Sequence, residues 1–257
     1  MNFNLAGKVV VVTGASGGIG SSVSRQFLEH GCKVALLARD ADRLERTLKK
    51  LVEDFNPEII LSLPVDCAVE HDLTGAISTI VETWSKIDIA IANIGDGKSE
   101  QNAVPSGTSF KKTFETNFET ATNLSRATQD ELRKTNGNLL FISSIAGLEV
   151  LGAPTDYSVA KAALIMLSKQ LSHKLAPNIR VNCIAPGNIY FPGGRWEELM
   201  KSNRDSVSAM IKDSVPLQRF GTPEDVANAA VFLCSPQAAF ITGACLSVDG
   251  GQTVASH

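Results

Sequence analysis

The chain has 257 residues, 44% of them hydrophobic, and a formal net charge of -3. That apolar content supplies a full core and excludes a disordered chain, and the slightly acidic balance, with no long basic run, argues against a nucleic-acid partner. No apolar run approaches the ~18 residues of a membrane span, and MNFNLAGKVVVV lacks the basic start and apolar core of a signal peptide, so a cytoplasmic protein with no membrane partner is expected. Cys32, Cys67, Cys183, Cys234 and Cys245 are scattered, odd in number and without a Cys-x-x-Cys, as reduced buried thiols would be. His30, His71, His173 and His257 have no metal-ligand spacing and are expected on the surface, so no metal site is expected.

In chain order, Lys8 to Thr13 is a β-branched run with no polar interruption, as in a parallel strand buried on both faces. A Gly-rich turn follows, then a helical pattern from Ser21 to His30 closed by Gly31. Lys33 to Ala38 is a second strand, and Asp40 can cap a charged amphipathic helix that Asn56-Pro57 ends. Strands at Ile59 to Val65 and Ile87 to Ala92 flank a helix from Glu70 to Trp84. Gly95 to Gly107 reads as a loop, and a long helix runs from there to about Lys134. Then come a strand at Asn138 to Ile142, a helix from Tyr157 to Leu175 and a strand at Ile179 to Ile184 ended by Pro186-Gly187. Asn188 to Val215 is longer than an ordinary connection and reads as a substrate lid or as a surface helical excursion. Thr222-Pro-Glu-Asp opens a last helix before a final strand near Leu246 to Val248. Strand and helix alternate six times with no linker. The expectation is therefore one α/β domain over 1–257, a Rossmann-type doubly wound parallel sheet with helices on both faces.

Three groups of residues carry chemistry. Gly14, Gly18 and Gly20 join a buried strand to a helix, where glycines permit a tight turn, close approach of a pyrophosphate and close helix packing. The helix start offers free N–H groups to the phosphates. At the end of the second strand stand Ala38 and Arg39. A carboxylate there would suit NAD, whereas a guanidinium matches the 2′-phosphate of NADP; a solvated arginine opening a charged helix is the competing reading. Tyr157 and Lys161 are four apart on one helical face, and a nearby ammonium lowers the pKa of a phenol, ordinarily about 10. The same spacing is common on ordinary helices, so the pair acquires meaning from its company: Ser143 and Ser144 at the carboxyl end of the preceding strand.

Together these residues resemble the short-chain dehydrogenase/reductase family in its compact single-domain branch, with the closest look to 3-oxoacyl-carrier-protein reductases and general ketoreductases. The resemblance runs from Gly7 to Gly251 and rests on the Gly14/Gly18/Gly20 turn, Asn93-Ile94-Gly95, Asn117, Ser144, Tyr157 with Lys161, and Pro186-Gly187. It implies that Tyr157 gives or takes the proton, Ser144 holds the substrate oxygen, Asn117 sustains a water-linked proton path, and Lys161 binds the nicotinamide ribose and lowers the Tyr157 pKa. It implies further that Ser16, Ile19, Asp66, Cys67, Asn93, Pro186, Gly187 and Ile189 join the glycines, Arg39, Tyr157 and Lys161 around NADP(H), with NAD(H) the alternative.

Four positions depart from that pattern. Ile94 replaces an alanine and crowds the cofactor side of the sheet. Gly17 stands where many NADP-binding members have a basic residue, leaving Arg39 to carry the 2′-phosphate largely alone. Phe191 occupies the place of a threonine that bonds the nicotinamide amide. Asp156, before Tyr157, is expected to face solvent, the alternatives being that it raises the Tyr157 pKa or selects a polar substrate. Leu148, Leu151, Phe191 and Trp196 are candidate walls of an apolar or mixed pocket and equally candidates for core packing.

The expected function is NADP(H)-dependent interconversion of a small-molecule ketone and a secondary alcohol; the other class is a nucleotide-binding regulatory or structural protein that kept the fold. The helix after Tyr157 is apolar all round near Ala162, Ala163 and Met166, so one side needs cover from a second copy. A homotetramer is expected, with a homodimer next in line.

Overall fold

Val9, Val10, Val11 and Val12 are all fully buried. Val10 and Val12 join one apolar core and Val9 and Val11 another, because successive strand residues point to opposite faces and both faces are covered. The computed structural model describes residues 3–255. The chain runs β1 (Val9–Thr13), α1 (Gly18–Glu29), β2 (Lys33–Ala38), α2 (Ala41–Val52), β3 (Ile60–Pro64), α3 (Glu70–Trp84), β4 (Ile89–Ala92), α4 (Gly107–Phe114), α5 (Thr120–Thr135), β5 (Asn138–Ile142), α6 (Thr155–Lys174), β6 (Arg180–Pro186), α7 (Arg195–Ser202), α8 (Arg204–Ser214), α9 (Pro223–Cys234) and β7 (Cys245–Val248). The seven parallel strands lie in the order β3-β2-β1-β4-β5-β6-β7. Val11 pairs with Ala35 of β2 on one side and Ala90 of β4 on the other. On one face Phe27 of α1, Leu44 of α2 and Val231 of α9 pack on the sheet; on the other, Leu73 of α3, Leu124 of α5 and Leu164 of α6 do.

The helix boundaries show where tertiary contacts overrode local preference. α1 begins at Gly18, three residues before the expected start at Ser21, and no side chain caps it. Its glycines are there for proximity. A Cβ on Gly20 would lie 2.2 Å from Gly14 O, a backbone atom with nowhere to go. The helix expected from Gly107 to about Lys134 is broken by a π turn at Glu115–Glu119, which holds Asn117 in the interior. Its Nδ2 donates to Thr113 O at 3.1 Å and to Asp96 O at 3.0 Å, so the extra residue is accommodated by tertiary hydrogen bonds. The end signals behave as expected: Asp40 accepts from Arg43 N at 2.9 Å, and Thr222 with Asp225 forms a capping box at α9.

The segment 188–215 carries α7 and α8 and returns to the sheet edge through a bridge between Ile189 and Gly221. On α6, Val159, Ala162 and Met166 are exposed in the single chain, so the side that the sequence left without cover is open here.

Gly20→Ala is expected to destabilise the fold by about 1–3 kcal/mol through backbone overpacking. The midpoint of urea unfolding should fall at unchanged slope; an unaltered midpoint would mean that α1 is not held against the β1 turn.

Candidate active site

Between β1 and β4 the strand order reverses, and the carboxyl ends of the two strands frame a crevice. Asn93, at the end of β4, fastens its two sides together. Its Nδ2 donates to Thr13 O at 3.1 Å and Gly14 O at 3.3 Å, and its backbone N–H donates to Thr13 Oγ1 at 3.1 Å. The amide nitrogen expected to line a ribose is therefore spent on the glycine turn. Ile94, the first departure, leans on Gly14 and on the core beneath.

Further along the sheet edge, β5 delivers Ser143 and Ser144. The Ser143 hydroxyl is buried and donates to Lys161 O at 2.7 Å, tying α6 to the strand. Ser144 starts a short turn, its Oγ accepting from Ala146 N at 3.2 Å. Gly147 lets α6 lie against that turn, since a Cβ there would sit 2.7 Å from Lys161 C and Ala162 N. The sequence placed Ser143 beside Ser144 at the strand end without giving it this tie to α6, and Gly147 was not singled out. The result brings Ser144, Tyr157 and Lys161 together: the Ser144 hydroxyl is near enough to the phenol to pull its pKa down, and Lys161 Nζ lies 5.7 Å from the ring centroid. Asn117 joins them through Gly95, whose absent side chain would meet Lys161 Nζ at 2.6 Å and Asn117 Oδ1 at 3.0 Å.

The electrostatics differ from the sequence expectation. The Tyr157 pKa is raised above its ordinary value, first by burial and also by the Asp96 charge, with the Ser144 bond acting the other way. The ammonium does not bring it down. Lys161 is 2% exposed and donates instead to Ile142 O at 3.2 Å, and burial lowers its own pKa to about 8. At neutral pH the phenol keeps its proton and the lysine is mostly charged.

Asp156 is the clearest correction. It was expected to face solvent, yet it is 0% exposed. Its Oδ2 accepts from Ser99 Oγ at 2.5 Å, Ser109 Oγ at 2.9 Å and Thr113 Oγ1 at 2.9 Å, and its Oδ1 accepts from Tyr157 N at 2.9 Å. Burial would raise its pKa, but these bonds outweigh it and hold the carboxyl below its ordinary value. The donors come from the loop after β4 and from α4, 43 to 57 residues away in sequence, which is why local reading missed them. The charge that raises the Tyr157 pKa belongs to Asp96, not Asp156.

At the other end of the crevice, Arg39 lines a cleft of about 340 Å³ with Leu63, Pro64, Val65, Asp66, Asp72 and Ala76. Its side chain is 81% exposed and makes one loose ion pair, 3.6 Å to Asp66 Oδ2. Arg39 does not stand alone, as the sequence had suggested. Arg43 Nη2 lies 3.3 Å from where a Gly17 side chain would begin, so a second guanidinium fills the space that a basic residue at 17 would occupy. Its spacing of four from Arg39 across the start of α2 was the missed signal. The Cys67 thiol is buried in the core, with burial raising its pKa to about 12, so only its backbone is available to a ligand.

Gly187, Ile189 and Phe191 follow β6. Gly187 N–H donates to Val248 O at 3.0 Å, Ile189 is buried, and Asn188 Nδ2 is buried without a partner among the described residues. The Phe191 ring covers the glycine turn, 2.7 Å from where a Gly18 side chain would begin, and also packs on Gly194. Trp196 packs on Phe220, with ring centroids 5.5 Å apart, and Leu151 is exposed. Of the four candidate pocket walls, Phe191 thus lies on the glycine turn, Trp196 on Phe220 and Leu151 at the surface.

Comparison with known proteins agrees with this geometry. A family model described as enoyl-(acyl carrier protein) reductase matches residues 14–253, and the chain belongs to the short-chain dehydrogenase/reductase family of oxidoreductases. It is similar to the 3-oxoacyl-[acyl-carrier-protein] reductase FabG of Chlamydia muridarum, with 33% identity over 98% of this chain and 99% of that protein. Among solved structures, L-sorbose reductase from Gluconobacter frateurii complexed with NADPH and L-sorbose has 32% identity and a TM-score of 0.92, covering 99% of this chain and 100% of that one. The 3-ketoacyl-(acyl-carrier-protein) reductase from Brucella melitensis complexed with NADH has 28% identity and a TM-score of 0.86, covering 98% and 100%.

Lys161 yields a test of the site's cost. The fold lowers its pKa from 10.5 to about 8, so burying the charge opposes folding fully below pH 8 and less as pH rises toward 10.5. That difference amounts to about 3 kcal/mol. Lys161→Met should therefore raise the melting temperature at pH 7 while turnover collapses, and its advantage over the parent should shrink above pH 9. A variant less stable than the parent at pH 7 would show that the ammonium is a net stabiliser.

Proposed function

We propose that the protein interconverts a ketone and a secondary alcohol using NADP(H). The observation that carries this reading is the convergence of Ser144, Tyr157 and Lys161 at the carboxyl edge of the sheet, beside a glycine turn and a helix start that no side chain caps. The first turn of α1 also lacks acidic residues, so its N–H groups and dipole suit a pyrophosphate. The orphaned Asn188 Nδ2 is a donor fit for the carboxamide end of the cofactor. Bound there, the cofactor supplies or accepts the hydride.

The chain's own residues do the rest. Ser144 donates to the carbonyl oxygen and orients it. Tyr157, protonated at neutral pH, gives its proton to that oxygen in the reducing direction and takes it back in the other. Lys161, with its ammonium 5.7 Å from the phenol ring and tied to Ile142 O, would hold the nicotinamide ribose. Asn117 positions the loop that closes the site and lies on the route by which the proton is replaced. Phe191 covers the glycine turn, and α7 with α8 forms the lid over the crevice, tethered to the opposite loop by the 2.8 Å pair between Lys98 and Glu198. The open side of α6 is the surface on which further copies pack to form a homotetramer.

Tyr157→Phe keeps the ring and removes the transferable proton. NADPH should still bind, as followed by its fluorescence, while turnover falls by about two to four powers of ten. A near-normal rate would put the acid elsewhere.

Arg39 and Arg43 support NADPH over NADH. Arg39→Ala and Arg43→Ala should each lower the kcat/KM ratio of NADPH to NADH about tenfold, the worth of one charge-assisted contact. Equal efficiency of the parent with both cofactors would refute the preference.

A further inference from the structure

The loop after β4 is largely exposed, yet it is held at several points. Asp96 N–H donates to Asn117 Oδ1 at 3.0 Å, and Asp96 O accepts from Asn117 Nδ2 at 3.0 Å. Asp96 Oδ1 accepts from Lys98 N at 2.8 Å, closing a turn, and Ser99 is held by the buried Asp156. The residues on either side of Asp96 lie against the reacting groups. A side chain on Gly95 would begin 2.6 Å from Lys161 Nζ, and one on Gly97 would begin 3.9 Å from Tyr157 Cζ. Asp96 is thus placed at the mouth of the site with backbone and one carboxylate oxygen fixed.

The other oxygen, Oδ2, has no hydrogen-bond or ion-pair partner among the described residues, and the nearby Lys98 ammonium pairs with Glu198 instead. The Asp96 charge is felt at the Tyr157 phenol. An acceptor pre-oriented in this way loses little entropy on binding a donor, and a carboxylate is a strong acceptor for a hydroxyl. The surroundings suit a polar molecule. The rim carries Lys98, Arg195 and Glu198.

We propose that Asp96 is a substrate-binding residue that accepts a hydrogen bond from a hydroxyl near the reacting carbonyl, so that the substrate is a polyhydroxylated carbonyl compound or the corresponding polyol. This rests on the reductase reading above. A site built to bond a hydroxyl discriminates against the analogue that lacks it, and at a solvent-open mouth that discrimination is about tenfold.

The test measures NADPH oxidation with matched substrates: erythrulose, 2-butanone of the same chain length, and an acetoacetyl thioester. In the parent, kcat/KM for erythrulose should exceed that for 2-butanone and for the thioester by about tenfold or more. Asp96→Asn keeps an acceptor for Lys98 N–H, and with it the turn, while removing the charge. In it the erythrulose-to-butanone ratio should fall about tenfold, mainly through KM for erythrulose. Asp96→Ala should lower the ratio at least as far, and the melting temperature of each variant reports whether the loop is intact. A parent that prefers the thioester or 2-butanone overturns the proposal and leaves the reductase reading standing, as does a folded Asp96→Asn with an unchanged ratio. NADPH oxidation with none of the three carbonyls, by a folded protein that binds NADPH, would count against the reductase reading and this one together.

Discussion

The crevice exists because the chain leaves β1 toward β2 and β3 and then returns on the other side of β1 as β4. The two crossovers diverge at that point, and no helix can cover the strand ends between them. The residues proposed to act on a ligand stand along this opening. The sheet itself is continuous there, with β1 paired to β4, and Thr13 and Asn93 add hydrogen bonds across the same boundary at the strand ends. The glycine turn can lie open to a ligand because its underside is already bonded.

A second network, some distance along the edge, trades stability for position. Asp156 is a buried carboxylate without a cation, and such a charge is tolerated only when its lone pairs are filled. Three hydroxyls and one amide fill them, and in doing so they bind the loop after β4, α4 and the first turn of α6 into one unit. Thr113 passes the connection on: its hydroxyl bonds Asp156 and its carbonyl accepts from Asn117, whose amide clamps Asp96. The π turn around Asn117 is the backbone's accommodation of this demand. The acid in the first turn of α6 also meets the positive end of the helix dipole, which offsets part of the burial cost. Lys161, by contrast, is buried against its own interest, as groups held for chemistry often are.

The ends of the crevice are chemically distinct. Toward β2 and β3 it presents Arg39 and Arg43 on exposed backbone, where charge and reach matter more than rigid placement. Toward β5 and β6 it presents buried and half-buried groups with one geometry each. That asymmetry fits a ligand anchored by phosphate at one end and positioned for a reaction at the other.

Much of this was legible in the residues alone. Apolar runs without polar interruption required strands covered on both faces, and their alternation with helical patterns left only the doubly wound sheet. The four-residue spacing of Tyr157 and Lys161 put both on one side of a helix, and the serines at the end of β5 had to reach the same edge. These features depend on periodicity and chain order, which sequence carries directly. What folding alone decided depends on contacts between distant segments. Asp156 looked like a surface acid because the hydroxyls that bury it come from another part of the chain. Gly17 looked like a missing cation because Arg43 enters its space from the next helix. Phe191 and Trp196 could be pocket walls or packing by sequence alone, and the fold lays one on the glycine turn and the other on Phe220. A side chain's type sets what it can bond, and only the tertiary structure determines which partner reaches it first.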